Sequence, residues 1–169
     1  MYIAVVGPGS EASPADRELA EQVGYRLALA GAVVLTGGLA GVMAAAAAGC
    51  ARGGGVSVGL LPGDRRTDGS PELTVCLPTG LGELRNGLLV RCADGLVAIG
   101  GSWGTLSEIA LARRAGRPVL GIGGWRLHDR DLVTETAETP AQAVTRVLQL
   151  AGARGAGQPP HGGADSFEA

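Results

Sequence analysis

The sequence predicts an α/β protein, built on a doubly wound parallel sheet with helices on both faces, in one domain covering residues 1–152. Strand-like and helix-like segments alternate from the first residue, as they do in parallel sheets whose strands are joined by helices. Glycine-rich turns follow three of the predicted strands, at residues 7–10, 37–38 and 100–104. Thirty glycines and only 3% aromatic residues favour a tightly turned protein with a core of small side chains.

The order of the elements follows from the apolar runs and from the residues that begin and end helices. Short apolar runs predict strands, whereas apolar residues three and four apart predict helices. Ser13 as N-cap with Pro14 at the first helical position begins one helix, and Thr139 with Pro140 begins the last. In chain order the predicted elements are strand 2–6, helix 14–30, strand 32–35, helix 42–52, strand 56–61, strand 73–77, helix 83–93, strand 95–99, helix 105–115, strand 118–122 and helix 140–150.

Three segments have compositions that predict their roles in the fold. The helix at 42–52 is rich in alanine, which favours close packing against another helix or another subunit. Residues 62–72 are polar and rich in turn-forming residues, so they are predicted to form a loop. Residues 153–169 are rich in Gly and Pro and poor in large apolar side chains, which predicts a disordered C-terminal tail.

The composition also excludes several classes of function. A formal net charge of −2 without a basic cluster argues against nucleic-acid binding, and the absence of Lys rules out a Schiff base or a P-loop lysine. Cys50, Cys76 and Cys92 are scattered without a C-x-x-C pair, which predicts reduced thiols in a cytoplasmic protein and no metal site. No apolar stretch approaches the roughly 20 residues that span a bilayer, so no membrane segment is predicted.

The segment 100–108 carries the main indication of a ligand. It follows a predicted strand and begins a predicted helix, where backbone N–H groups and the helix dipole favour a phosphate. Glu108 has two interpretations: it forms a capping box with Thr105, or it faces a sugar–phosphate. In the second case it accepts a proton from water or stabilises positive charge on an anomeric carbon. Trp103 either stacks on a base or packs over the turn.

The first two glycine turns are less specific. Residues 7–12 match the dinucleotide fingerprint G-x-G-x-x-A, but Thr36, Gly37 and Gly38 occupy the place where an acidic residue would hold a ribose. NAD binding, a tight turn without a ligand, and contact with a phosphate or sugar all remain open. Because ligands of doubly wound sheets bind beyond the carboxyl ends of the strands, we expect all three turns to converge there.

Arg85 lies near the start of the helix predicted at 83–93. Leu84, Leu88 and Cys92 are predicted to be the buried stripe of this helix, and Arg85 lies beside that stripe. Such an arginine is either solvated on the flank of the helix or paired with a phosphate or a carboxylate. Asn86 is predicted to be a polar contact of the ligand.

Several of these segments resemble one known family. Residues 100–108, Gly-Gly-Ser-Trp-Gly-Thr-Leu-Ser-Glu, resemble the P-G-G-x-G-T-x-x-E motif of the LOG-like family, also called lysine decarboxylase-like. Residues 36–43 resemble its G-G-G…G-L-M block, and residues 53–62 resemble its G-G-x-V-x-G-x-x-P. Arg85 falls where the family places a functional arginine. The resemblance covers about residues 2–150.

The resemblance implies a Rossmann-like homodimer or homotetramer that takes a small phosphorylated ligand and needs no cofactor. The best-known members cleave the N-glycosidic bond of nucleoside 5′-monophosphates and release ribose 5-phosphate. By this resemblance Arg85 and Glu108 are the predicted catalytic pair, and the third glycine turn holds the phosphate. Together with the other turns, the predicted ligand-binding residues are Gly7, Gly9, Ser10, Thr36, Gly37, Gly38, Asn86, Gly100, Gly101, Ser102, Gly104 and Thr105.

The chain departs from the main family pattern in two places, which gives a second functional prediction. Asn86 stands where the family has a lysine, and Ile99-Gly100 stands where the motif has its proline. In these features the chain resembles a sub-branch that includes molybdenum-cofactor carrier proteins, which bind a phosphorylated pterin without converting it. The protein is therefore predicted to be a nucleoside 5′-monophosphate phosphoribohydrolase or a non-catalytic carrier of a phosphorylated pterin or nucleotide. A purely structural oligomer would leave the three glycine turns unexplained.

Overall fold

The computed structural model of the protein describes residues 1–124 and 135–157. Within them the strands are β1 (Tyr2–Val6), β2 (Val33–Thr36), β3 (Ser57–Leu61), β4 (Val75–Pro78), β5 (Gly95–Ile99), β6 (Val119–Ile122) and β7 (Glu135–Thr136). The helices are α1 (Pro14–Leu29), α2 (Val42–Arg52), α3 (Arg85–Cys92), α4 (Trp103–Arg114) and α5 (Pro140–Gly157). The predicted bounds of β1, α2 and β5 agree with the structure at both ends.

The strands form one parallel sheet. In the described residues it has seven strands in the order β4-β3-β2-β1-β5-β6-β7. The chain moves outward from β1 to β4 and then returns to the other side of β1, where Ala4 pairs with Leu96 and Val6 with Ala98. The strand order therefore reverses between β1 and β5, and the crevice beyond the carboxyl ends of these two strands is where such sheets bind ligands.

Each face of the sheet is covered by helices, which confirms the predicted doubly wound α/β fold. Helices α1, α2 and α5 pack on one face around Ile3, Val5 and Val97, which are fully buried. Helices α3 and α4 pack on the other face around Ala4 and Leu96. None of the helices in the described ranges is both long and apolar enough to cross a membrane.

Helices α1 and α2 pack with their backbones in contact. A Cβ atom added at Gly24 would overlap the carbonyl oxygen of Ala46 and lie 2.9 Å from its carbonyl carbon. A Cβ atom at Gly49 would lie 2.8 Å from the carbonyl carbon of Glu21. The small residues of α2 therefore serve a contact between two helices of the same chain, which is one of the two alternatives that the alanine-rich sequence left open.

The predicted buried stripe of α3 is wrong. Leu84 is 79% exposed and Leu88 is 38% exposed, and Cys92 is also exposed. The helix instead buries Arg85, Leu89 and Val90. The helix has apolar residues on two faces, and only packing against the sheet decides which of the two is covered.

Several helix ends also differ from the prediction, and the differences at α4 and α5 bear on the site and on the predicted tail. Helix α4 begins at Trp103 and not at Thr105, because the side chain of Ser102 acts as the N-cap. Helix α5 continues to Gly157, so the segment predicted as a tail from residue 153 begins inside a helix. The remainder of that segment, residues 158–169, lies outside the described residues.

Candidate ligand-binding site

The turn that follows β1 lies between the end of β5 and the start of α2. A Cβ atom at Gly7 would lie 2.6 Å from the carbonyl oxygen of Ile99, so only glycine fits this close approach. The amide of Val42 donates a hydrogen bond to the carbonyl of Pro8 at 3.0 Å. Gly41 has a φ of +68° and packs against the carbonyl of Gly9. These contacts fix the first glycine turn at the mouth of the crevice.

The start of α4 lies on the opposite side of the crevice. Ser102 Oγ accepts a hydrogen bond from the amide of Thr105 at 3.2 Å and lies 3.0 Å from the hydroxyl of the same residue. The capping box that the sequence allowed between Thr105 and Glu108 is therefore replaced by a cap one turn earlier. The N-terminal end of α4, with its partial positive charge, is thus placed at the crevice together with the backbone of Gly104.

Arg85 and Glu108 form a buried ion pair at the base of the crevice. Arg85 Nη1 lies 3.4 Å from Glu108 Oε1, and the two residues are only 8% and 6% exposed. Arg85 Nη2 also lies 4.0 Å from the sulfur of Met43. Within the described part of the chain, Arg85 Nε is buried without a hydrogen-bond partner. The guanidinium therefore retains an N–H group that Glu108 does not satisfy.

The second glycine turn makes room for this guanidinium. A Cβ atom at Gly37 would lie 2.5 Å from Arg85 Cζ and closer still to Nη2. Any side chain at this position would displace the arginine. The requirement for glycine at position 37 thus comes from the side chain of Arg85, which is distant in the sequence. The sequence alone suggested a different reason, namely a sharp turn beside the neighbouring strand.

Burial shifts the ionisation of both partners. Removal from water raises the pKa of Glu108 to about 7, and the charge of Arg85 opposes part of that rise. Burial lowers the pKa of Arg85, and the charge of Glu108 opposes this effect. Near neutral pH the carboxyl group of Glu108 thus exchanges readily between its protonated and ionised forms, which suits a group that accepts or donates a proton.

The raised pKa of Glu108 predicts that the protein loses stability as the pH rises through the neutral range. The pKa is about 7 in the folded protein and 4.5 in the ordinary reference state, so the folded protein holds a proton that the unfolded chain has released between these values. We expect this group alone to lower the free energy of unfolding by about 2 kcal/mol between about pH 5.5 and about pH 8. Urea unfolding at the two pH values measures the difference.

The matched control for this measurement is Glu108→Gln, which cannot ionise. The wild-type protein should lose more stability than this variant over the same pH interval. Equal losses in the two proteins would show that Glu108 has an ordinary pKa in the folded state.

Two adjoining cavities open from this pair. The inner cavity has a volume of about 160 Å³ and is lined by Val6, Gly7, Gly9, Gly37, Met43, Arg85, Asn86, Ser102, Gly104, Thr105 and Glu108. The outer cavity has a volume of about 400 Å³ and is lined by Leu39, Pro62, Gly82, Glu83, Arg85, Asn86, Trp103, Gly104 and Ser107. Because Arg85, Asn86 and Gly104 line both, the two cavities are neighbours and together form the crevice. Among the described residues that line it, Arg85 is the only cation.

The structure brings most of the predicted site residues to the inner cavity and leaves five outside it. The nine that line it are Gly7, Gly9, Gly37, Arg85, Asn86, Ser102, Gly104, Thr105 and Glu108. The five that line neither cavity are Ser10, Thr36, Gly38, Gly100 and Gly101. The hydroxyl of Thr36 accepts a hydrogen bond from the amide of Gly38 at 3.1 Å, and a Cβ atom at Gly100 would lie 2.7 Å from Asp16. These contacts give three of the five a role in shaping the turns.

Sequence reasoning missed several residues of the outer cavity. Leu39 and Pro62 lie in segments interpreted as turn and loop, and Glu83 lies in a 3₁₀ turn that the sequence assigned to a helix. Met43 lies beside Arg85. Its position in residues 36–43, which resemble the second glycine block of the LOG-like family, was the one sequence feature that could have indicated a place in the site. The alternation of strands and helices does not indicate which loop residues face the crevice.

Comparison with known proteins identifies the family. The sequence model of the SLOG cluster4 family matches residues 1–153. The chain belongs to the SLOG cluster4 family. This result confirms the resemblance to LOG-like proteins that the glycine motifs predicted, and the matched range contains every residue that lines the two cavities.

Relatives of this SLOG cluster4 chain include proteins with solved structures. The molybdenum cofactor binding protein of the phototrophic bacterium Rippkaea orientalis is 32% identical with a TM-score of 0.82, covering 88% of this chain and 95% of the other. The molybdenum cofactor carrier protein of Chlamydomonas reinhardtii is 33% identical with a TM-score of 0.80, covering 88% and 96%. An uncharacterized protein of Archaeoglobus fulgidus is 36% identical over 151 residues, covering 85% of this chain and 92% of its relative.

One feature of this SLOG cluster4 site departs from the pattern of the main LOG-like family. Asn86, which stands where that family has a lysine, lines both cavities, and its amide nitrogen lies 3.5 Å from the hydroxyl of Ser107. A neutral amide thus replaces a second cation beside Arg85.

Proposed function

We propose that this protein binds and carries a phosphorylated small molecule, either the molybdenum cofactor, which is a phosphorylated pterin, or a nucleotide. The observation that carries the proposal is the position of Arg85, which is the only cation among the described residues that line the crevice and lies there with the N-terminal end of α4. The relatives described as a molybdenum cofactor binding protein and a molybdenum cofactor carrier protein support this choice of cargo.

The phosphate is proposed to bind between Arg85 and the start of α4. An arginine donates charge-assisted hydrogen bonds to phosphate oxygens, and a helix N-terminus adds backbone N–H groups and a partial positive charge. Gly104 and Thr105 supply that helix end, and Gly7 and Gly9 allow a ligand to approach the backbone on the facing wall.

The inner cavity contains one acidic group, Glu108, among the described residues that line it, and this carboxylate contacts Arg85. Most enzymes that cleave O-glycosidic bonds use a pair of carboxylates, but the N-glycosidic hydrolases that the sequence resembles use an arginine with one glutamate. The number of carboxylates therefore does not decide between binding and hydrolysis, and the preference for binding rests on the relatives described as molybdenum cofactor binding and carrier proteins.

Hydrolysis of nucleoside 5′-monophosphates is the second candidate, favoured by the raised pKa of Glu108. In that reaction water attacks the anomeric carbon, the C–N bond to the base breaks, and the base takes up a proton from the solvent, to which Glu108 afterwards releases the proton of the attacking water. Glu108, with a pKa of about 7, would accept the proton of the attacking water. Arg85 would hold the phosphate and orient the carboxylate.

The two candidates predict opposite results when the purified full chain is incubated with a panel of nucleoside 5′-monophosphates. As a carrier, the protein should bind at least one of them in native mass spectrometry and release no free base detectable by chromatography. Glu108→Gln should keep this binding, because the substitution removes a negative charge from an anion site.

The same assay contradicts the proposal in two ways. Release of free base that Glu108→Gln abolishes would establish the hydrolase instead. If neither nucleoside monophosphates nor inorganic phosphate bind, both candidates fail.

The proposal includes a homodimer or homotetramer in the cytoplasm, without nucleic acid as a partner. The α3 face of the sheet supports self-association, since Val75, Leu77, Leu84 and Leu88 are all at least 38% exposed. Parallel sheets are ordinarily covered on both faces, and the connection from β3 to β4 contains a 3₁₀ turn and no α-helix. A second copy of the chain would cover this apolar surface, and the mass of the full chain in solution tests this.

A further inference from the structure

The outer cavity differs in character from the inner one. It is more than twice as large, at about 400 Å³ against about 160 Å³. Its wall combines three apolar side chains with four polar ones, namely Leu39, Pro62 and Trp103 with Glu83, Arg85, Asn86 and Ser107. A wall of this kind fits a ring system with polar edges better than it fits a second phosphate.

Trp103 places an aromatic surface beside the proposed phosphate site. It is the first residue of α4 and is 79% exposed, and its neighbour Gly104 lines both cavities. A ligand whose phosphate lies at the helix start therefore extends its remainder past Trp103. Stacking on an aromatic side chain contributes affinity for any planar base without selecting among bases.

Glu83 is the group that can select among rings. It is exposed, and it is the only carboxylate among the described residues that line the outer cavity. Within the part of the chain that the structure describes, the salt bridges of the protein do not involve it. Its two oxygens thus have the capacity to accept hydrogen bonds from a ligand.

A carboxylate recognises one particular ring edge. The 2-amino-4-oxopyrimidine edge, which guanine and pterins share, presents a ring N–H and an exocyclic amino group side by side. These two donors match the two oxygens of a carboxylate. Adenine presents an acceptor nitrogen beside its amino group, so one carboxylate oxygen would face a lone pair. A carboxylate that faces this edge therefore favours guanine or a pterin over adenine, and because Glu83 is exposed, water can satisfy its oxygens when the donors are missing and the preference is moderate.

We propose that the outer cavity is a subsite for a ring with the 2-amino-4-oxopyrimidine edge, with Glu83 as the residue that determines specificity. This inference rests on the proposed binding of a phosphorylated ligand and adds the class of ring that the ligand carries. Guanosine 5′-monophosphate (GMP) and phosphorylated pterins have this edge. Inosine 5′-monophosphate (IMP) has the ring N–H but lacks the amino group, and adenosine 5′-monophosphate (AMP) lacks the edge.

Isothermal titration calorimetry of the full chain with GMP, IMP, AMP and ribose 5-phosphate tests the subsite. The wild-type protein should bind GMP about tenfold more tightly than AMP, with IMP between them. Glu83→Gln should lower the affinity for GMP about tenfold and leave that for ribose 5-phosphate unchanged. Glu72→Gln, a change of the same kind at an exposed residue outside both cavities, should behave as the wild type.

The ribose 5-phosphate measurement separates the subsite from the phosphate site. Equal affinities of the wild type for GMP, IMP and AMP, or an equal loss for GMP and ribose 5-phosphate in Glu83→Gln, would overturn the subsite alone. Failure of ribose 5-phosphate and all three nucleotides to bind would overturn the proposed phosphate site and the subsite with it.

Discussion

Arg85→Gln is expected to weaken the binding of ribose 5-phosphate and GMP by about a hundredfold or more at neutral pH. Arg85 is the only cation among the described residues that line the two cavities, and it is 8% exposed. Loss of one partner from a buried, charge-assisted hydrogen bond costs about 2–5 kcal/mol, and each 1.4 kcal/mol is about a factor of ten in affinity. Calorimetry with the two ligands measures the change.

Two variants show whether this effect comes from the lost charge at the site. Arg91→Gln removes an exposed arginine from the same helix, outside both cavities, and should leave the affinities unchanged. The double variant Arg85→Gln/Glu108→Gln should bind about as weakly as Arg85→Gln alone at neutral pH, because without Arg85 the pKa of Glu108 rises further and its carboxyl group is already mostly neutral. If Arg85→Gln binds both ligands as tightly as the wild type, Arg85 does not contribute to the binding site.

Gly24→Ala is expected to lower the free energy of unfolding by about 3 kcal/mol or more. Alanine is the better helix former by about 1 kcal/mol, so local propensity alone predicts a gain. The added Cβ atom would overlap the carbonyl oxygen of Ala46, however, and that oxygen belongs to the backbone of α2. The two helices would have to move apart along their whole contact, which overpacks or opens the core on that face.

The same change at another helical glycine provides the control. A Cβ atom at Gly87, in α3, would meet no other atom within 4 Å, and its backbone is not in the left-handed region. Gly87→Ala should therefore raise the free energy of unfolding by about 0.5 kcal/mol. Urea unfolding of both variants measures the two changes in the free energy of unfolding, which should have opposite signs. A small effect at Gly24 would mean that the helices separate at little cost.

The fold was predictable because its signals are local. Apolar runs such as 2–6 and 95–99 predict strands, and a capped helix start follows the first of them at Ser13. The position of the site follows from the same information, since the rule that ligands bind where the strand order reverses needs only the order of strands. Sequence reasoning therefore predicted the crevice at which the structure brings nine of the predicted site residues together.

The remaining features depend on contacts that a local pattern does not contain. Ser102 and Thr105 are both able to cap a helix and lie three positions apart, so the sequence alone does not choose between them. The choice matters, because it releases Glu108 from the helix end to pair with Arg85. Glu83 had no signal, since a carboxylate in a short turn is most often solvated.

The fit between Gly37 and Arg85 has a consequence for other members of the family. A larger amino acid at position 37 is incompatible with an arginine in this orientation, so it requires the guanidinium end of Arg85 to move. In a homologue known only from its sequence, alanine or serine at the equivalent of position 37 would indicate that the positive charge has moved or is missing. The residue type at position 37 thus indicates whether a homologue keeps the positive charge of its pocket, although the residue that carries this charge is distant in the sequence.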